Sequence, residues 1–216
     1  MHFFPTLLKS FSLNLLSLNG KKIVIEGDSI TNGVLVTVPQ RWTTLLTQAM
    51  GAIEVNQGVN SKVLHNGSTC GLPQFSNANI PIKDSTHGLF ILALGVNDIL
   101  YDNGTFTPDN YKIAIISAVQ NMKSKGWTNQ NILVLSPYFL RVGANNGNIC
   151  GSVTPTLARY NSYVLASRQA CEIERCMYCD ISTVYSDADM ADLIHPNASG
   201  HNKLSNFLLN KNHVTL

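Results

Sequence analysis

The stretch KKIVIEGDSITNG, residues 21–33, opens with the apolar run Ile23-Val24-Ile25 and stops at Gly27-Asp28-Ser29. β-Branched residues in a short apolar run read as a buried strand. A strand that ends in glycine followed by a small hydroxyl residue can hold a nucleophile at the rim of a sheet, and a tight turn would explain the same residues. The next elements decide between the two readings.

Further runs suited to buried strands lie at Ile53–Val55, Leu89–Leu94 and Ile132–Leu135, with a weaker one over Met177–Ile181. Segments with helical spacing alternate with them. Trp42, Leu45, Leu46 and Ala49 fall on one helical face, and Tyr111, Ile115, Ala118, Val119 and Met122 on another. A third helix is expected from about Thr154, with Pro155 in its first turn, running past Leu165, and a last one from Ala198 to Leu209. Strands alternating with helices predict a parallel sheet covered on both faces through right-handed crossovers. The glycine- and asparagine-rich stretch 141–153 reads as a long loop after the fourth strand.

The 216 residues suit one domain over 21–216, preceded by a segment, 1–20, that packs on the domain or is the remnant of a preceding region. Charged residues make up 13% of the chain and the net charge is +2, with no basic block, so no nucleic-acid partner is indicated. No apolar run approaches the ~18 residues of a membrane-spanning helix, and no membrane partner is expected. Residues 1–20 lack the basic start of a secretory signal. The sequence leaves the compartment open, leaning to an extracellular or surface-associated one, and leaves the oligomeric state open as well. Five cysteines cannot all pair within one chain. Cys176-Met-Tyr-Cys179 has C-x-x-C spacing, but no second ligand pair follows, so it reads as part of a buried strand. Asn66, Asn103 and Asn197 match the glycosylation triplet, and a glycan on Asn197 would crowd His195.

Three small or polar residues follow successive strands: Ser29 after the first, Gly58 after the second and Asn97 after the third. In an open parallel sheet such ends converge on one crevice. A serine hydroxyl attacks only when a positioned base takes its proton. The segment ADLIHPNASGH supplies one, with Asp192 three residues before His195, close enough for the carboxylate to orient the imidazole. The backbone N–H groups of Ser29 and Gly58 and the side-chain amide of Asn97 could then form an oxyanion hole. Glycine at 58 would let the backbone approach the substrate closely.

Gly27-Asp28-Ser29-Ile30, Gly58 with Asn60 beyond it, Gly95-Val96-Asn97-Asp98 and Asp192-Leu193-Ile194-His195-Pro196 resemble, in order, the four blocks of the SGNH or GDSL esterase/lipase family. The resemblance implies a flavodoxin-like, three-layer α/β/α sandwich around a five-stranded parallel sheet. It also implies ester hydrolysis through an acyl-enzyme and no cofactor. Ser29 would be the nucleophile, His195 the base, Asp192 its partner, and Ser29, Gly58 and Asn97 the oxyanion donors. The first block reads G-D-S-I-T rather than G-D-S-L-S, and Asn60-Ser61 stands where many members have a further glycine or serine. Asp28 is expected to brace the Ser29 turn, while Tyr138, Arg141 and Asn145 are candidates for walling the cleft, with core packing the equal alternative for Tyr138. The expected substrate is a small-molecule or saccharide ester with a short acyl group, acetyl before others. A lysophospholipase or thioesterase is the alternative enzyme, and a carbohydrate-binding module of a phage or surface protein is the alternative of another class.

Overall fold

A computed structural model describes residues 18–65, 71–101, 107–141, 155–210 and 214–215. The chain runs β1 (Lys22–Gly27), α1 (Ser29–Asn32), α2 (Trp42–Ala49), β2 (Ile53–Gly58), β3 (His87–Ala93), α3 (Val96–Leu100) and α4 (Pro108–Ser124). It continues through β4 (Ile132–Leu135), α5 (Leu157–Glu174), β5 (Met177–Cys179), α6 (Ala198–Leu209) and β6 (Val214–Thr215). The sheet order is β2-β1-β3-β4-β5-β6. Strands β1 to β5 pair in parallel, and β6 adds an antiparallel edge that the sequence reading does not include.

Two apolar layers flank the sheet. On one face Ile23, Ile25, Ile91 and Leu135 pack with Trp42 and Leu46 of α2 and with Leu204 and Leu208 of α6. On the other, Val24, Phe90, Leu92 and Val134 pack with Tyr111, Ile115, Val119 and Met122 of α4 and with Tyr163 and Ala170 of α5. Successive β1 residues therefore feed opposite cores, as the period-two pleat requires. Leu18 is buried in the first core, while residues 1–17 lie outside the described residues.

Two element readings change. The buried face of α2 is Trp42, Thr43, Leu46 and Thr47, with Ala49 exposed, because the threonine hydroxyls are satisfied on the inside. Thr47 donates to the Thr43 carbonyl at 2.8 Å, and Thr43 donates to Glu54 Oε1 at 2.5 Å. Helix α5 starts later than expected, since Thr156 is its N-cap, its hydroxyl accepting from the Arg159 N–H at 3.1 Å. Pro155 therefore precedes the helix. Glu54, on edge strand β2, also accepts from Thr44 at 2.8 Å and from Arg41 at 3.3 Å. Cys176 and Cys179 are both fully buried at β5. Among the described residues no helix is long and apolar enough to cross a membrane.

Candidate active site

The order of strands in the sheet places β1 between β2 and β3, so the direction of winding reverses beside β1, where open parallel sheets bind ligands. Ser29 is the first residue of α1, immediately beyond the end of β1. Asp28 caps that helix, its Oδ1 accepting from the Ile30 N–H at 2.9 Å. Gly27 is required by packing, since a Cβ there would collide with the Thr31 side chain. Burial, followed by the nearby Asp98 carboxylate, raises the Asp28 carboxyl to about 7 against the pull of the Ile30 N–H.

Opposite Ser29 stands the turn 190–196, clipped at its base where the Ala191 N–H meets the His195 carbonyl at 2.8 Å. His195 Nε2 lies 3.0 Å from Ser29 Oγ, and His195 Nδ1 lies 2.8 Å from Asp192 Oδ2. A carboxylate can only accept, which sets Nδ1–H as donor and leaves Nε2 to accept from the serine hydroxyl. Asp192 Oδ1 also accepts from the backbone N–H groups of Ile194 at 2.7 Å and His195 at 2.6 Å. Burial pushes the Asp192 carboxyl up, but the bonds from His195 and Ile194 outweigh it and hold the group below the usual carboxylate range.

His201 has a different task. It is fully buried, and Nδ1 accepts the first N–H of α2, from Trp42, at 3.2 Å. Burial, then the neighbouring His195 and Arg41, lowers its pKa to about 4, so it stays neutral and joins α2 to α6. Asn197, the N-cap of α6, accepts from the Gly200 N–H at 3.0 Å and donates through its amide to the Ala188 carbonyl at 2.9 Å.

The acceptor side carries hydrogen bonds that the sequence reading does not assign. Asn97 is buried at the start of α3, and its Nδ2 donates one hydrogen to the Lys62 carbonyl at 2.9 Å. The Gly58 N–H, an expected oxyanion donor, donates instead to Asn56 Oδ1 at 2.8 Å. The missing Cβ of Gly58 serves packing, because a side chain there would run into the backbone of Thr31 and Asn32. Glycine at 58 thus lets β2 touch the helix that carries Ser29. Three residues on, Ser61 adopts a left-handed φ of 60°, and its N–H makes no hydrogen bond among the described residues.

Of the candidate cleft residues, Tyr138 is no wall. It is fully buried beneath α1 with its hydroxyl 3.2 Å from Thr31 Oγ1. Arg141 stands at the rim, its N–H donating to the Leu193 carbonyl at 3.3 Å and its Nε to Asp187 at 3.0 Å. Asn145 lies outside the described residues. Two buried ionisable groups close by escape the sequence reading: Glu26 on β1 and Lys62 on the loop after β2 form an ion pair. The available signal is Glu26 itself, which continues a strand with both faces covered and so calls for a buried counter-charge.

No curated protein matches the chain in sequence. Among solved structures, Est24, a carbohydrate acetylesterase from Sinorhizobium meliloti, superposes with a TM-score of 0.70 at 16% identity, covering 88% of this chain and 97% of that one. The native aryl esterase of M. smegmatis gives 0.69 at 20% identity, covering 87% and 96%, and a lipase/acylhydrolase from Enterococcus faecalis gives 0.65 at 18%, covering 90% and 97%. At these identities the superpositions speak for the fold. The family model of the GDSL-like lipases and acylhydrolases matches residues 26–203, from the last residues of β1 into α6, and the chain belongs to that family of carboxylic ester hydrolases.

Proposed function

We propose that the protein is a serine esterase acting on short acyl esters, acetyl above all, carried by a carbohydrate. The observation that carries the serine mechanism is the unbroken line from Ser29 Oγ through the His195 ring to Asp192, with contacts of 3.0 and 2.8 Å. Ser29 Oγ attacks the ester carbonyl carbon while His195 Nε2 takes its proton, and the carbonyl electron pair moves onto oxygen. The oxyanion faces the Ser29 N–H, at the first position of α1 where no intrahelical partner exists, and the second N–H of the Asn97 amide. On the β2 side, Gly58 would first have to leave Asn56, while the Ser61 N–H on the same loop is unengaged among the described residues. Collapse of the intermediate breaks the bond to the alcohol oxygen, which receives the proton from His195. Water then attacks the acyl-enzyme with His195 again as base, releasing the acid and restoring the serine.

The carbohydrate half of the proposal draws support from the rim beside Ser29. There Asn32 Nδ2 donates to Asn60 Oδ1 at 2.9 Å, and both residues are exposed, so amide groups of both polarities face solvent next to the nucleophile. The similarity to a carbohydrate acetylesterase points the same way. A second reading, hydrolysis of longer acyl esters or thioesters, is favoured by one feature. A cavity of about 290 Å³ is lined by Arg141, Phe139, Leu140, Leu157 and Tyr160.

The test is a p-nitrophenyl ester series from acetate to decanoate, run beside acetate release from acetylated saccharides, for the parent and Ser29→Ala. Preference for acetate, saccharide deacetylation and loss of turnover in the variant are expected. Rates rising toward eight or more carbons would shift the reading to the longer-chain enzyme, and a Ser29→Ala variant as fast as the parent would remove the serine mechanism.

A further inference from the structure

A buried lysine and glutamate sit under the acceptor side of the site, and neither belongs to the catalytic line. Glu26 shares the face of β1 with Val24 and stands in register with Gln57 of β2 and Leu92 of β3. It is fully buried. Lys62 enters that apolar layer from the loop after β2, with its ammonium on Glu26 Oε1 and on the Gln57 carbonyl at 3.0 Å. Its side chain is only 3% exposed. Taking two charges out of water is costly, and an apolar pair of similar size is often as stable or more so. A pair kept at such a position is better explained by the geometry it fixes than by the stability it adds.

That geometry is legible in the loop's other ties. The Val59 N–H returns to the Gly27 carbonyl at 3.1 Å, at the end of the strand that carries Ser29. The Lys62 carbonyl takes one amide hydrogen of Asn97. The Leu64 and His65 N–H groups both close on the Asp98 carboxylate, at 3.1 and 2.8 Å. Lys62 therefore anchors the middle of a loop that runs from the nucleophile's strand to the helix of Asn97. A primary amide has two hydrogens in one plane, about 120° apart. Whichever carbonyl captures the first also aims the second.

We propose that Glu26 and Lys62 are positioning residues for the oxyanion pocket: their ion pair fixes the Lys62 carbonyl, which turns the second N–H of Asn97 toward the developing oxyanion at Ser29. This rests on the serine-esterase reading. The pair acts through Asn97 and the loop, without touching substrate.

The experiment replaces both charges at once, Glu26→Leu with Lys62→Met, and measures melting temperature, kcat and KM on p-nitrophenyl acetate, alone and combined with Asn97→Ala. The double variant is expected to melt at or above the parent temperature. Its kcat should fall ~10- to 100-fold with KM within about threefold, since an ill-aimed donor is lost only in the transition state. Asn97→Ala should cost the parent ~100-fold but cost the double variant only what remains of that loss, ~10-fold or less further, because both changes remove the same interaction. A well-folded double variant with the parent's kcat, or an Asn97→Ala effect of equal size in both backgrounds, overturns the proposal. If the double variant does not fold, Glu26→Gln takes its place, and a parent-like kcat there overturns it equally. An inert parent would sink the esterase reading itself, whereas an active parent with unaffected variants sinks only the role of the pair.

Discussion

The base side of the site and its acceptor side differ in how the chain builds them. Asp192 and His195 stand on one turn, three residues apart, and the carboxylate also binds the backbone N–H of the histidine it orients. Asp192 is 44% exposed, and the polar pair stands outside the core that Met190 and Ile194 of the same turn pack into. Ser29, Gly58, Lys62 and Asn97 come from the ends of β1, β2 and β3, and their arrangement depends on close backbone packing and buried charges. A change on the first side should therefore alter chemistry and leave stability nearly unchanged, while a change on the second should alter both.

The largest expected effect comes from the base side. His195→Ala removes the imidazole in contact with Ser29 and should lower kcat by ~10⁴-fold or more, with a melting temperature within a few degrees of the parent's. A large loss of stability would show that the imidazole supports the fold as well as the chemistry. Gly58→Ala probes the other side. Its Cβ would press on the Thr31 and Asn32 backbone, so it should cost about 1–3 kcal/mol of stability, read by denaturant unfolding. It should also lower kcat ~10- to 100-fold by displacing Ser29. A Gly58→Ala variant as stable and active as the parent would break the comparison.

A pH experiment sharpens it further. Asp28 has a folded pKa of about 7 against an ordinary value of 3.8, so over that interval the native state holds a proton that the unfolded chain has released. Stability should fall as pH rises from about 4 to about 7, and the cost is complete above that. Asn can cap α1 as Asp28 does, so Asp28→Asn should raise the melting temperature at pH 8 and change it little at pH 4. Equal shifts at both pH values would show that Asp28 does not titrate in this range. Asp192 has the opposite sign, because its depressed pKa gives stability that is present above the unfolded value and lost as pH falls through the folded one. The smallest effect is expected at Arg141→Ala, which removes a rim pair with the 70%-exposed Asp187. It should change stability by under about 1 kcal/mol in the same unfolding assay.

The two sides also differ in how far they can be read from sequence. Asp-x-x-His declares itself, because both partners of a local turn lie in one short window. Ser29 is legible for a related reason, as a small hydroxyl residue two places beyond the end of a buried strand. Gly58 stands out in sequence as a place where backbone could approach the substrate, and the structure adds that its lack of a side chain serves the contact between β2 and α1; no one-dimensional pattern records which surface a glycine makes room for. Tyr138 reads equally as rim or core, and its hydroxyl meets Thr31 under α1, a choice set by tertiary packing. Glu26 is easily passed over because its counter-charge lies on a loop far along the chain. Strand β6 has two residues, too few to show any period.

Glu54 has a consequence outside catalysis. Strand β2 is an open edge of the sheet, and edges with free N–H and C=O groups are templates for adding strands from other molecules. A carboxylate near the start of the strand, held by Arg41, Thr43 and Thr44, discourages an apolar partner from docking there. The opposite edge ends on the chain's own β6, which has only two residues, and an edge strand that short offers little to pair with. The protein can thus keep a largely uncharged composition and an apolar sheet while denying other copies an inviting place to begin a fibre.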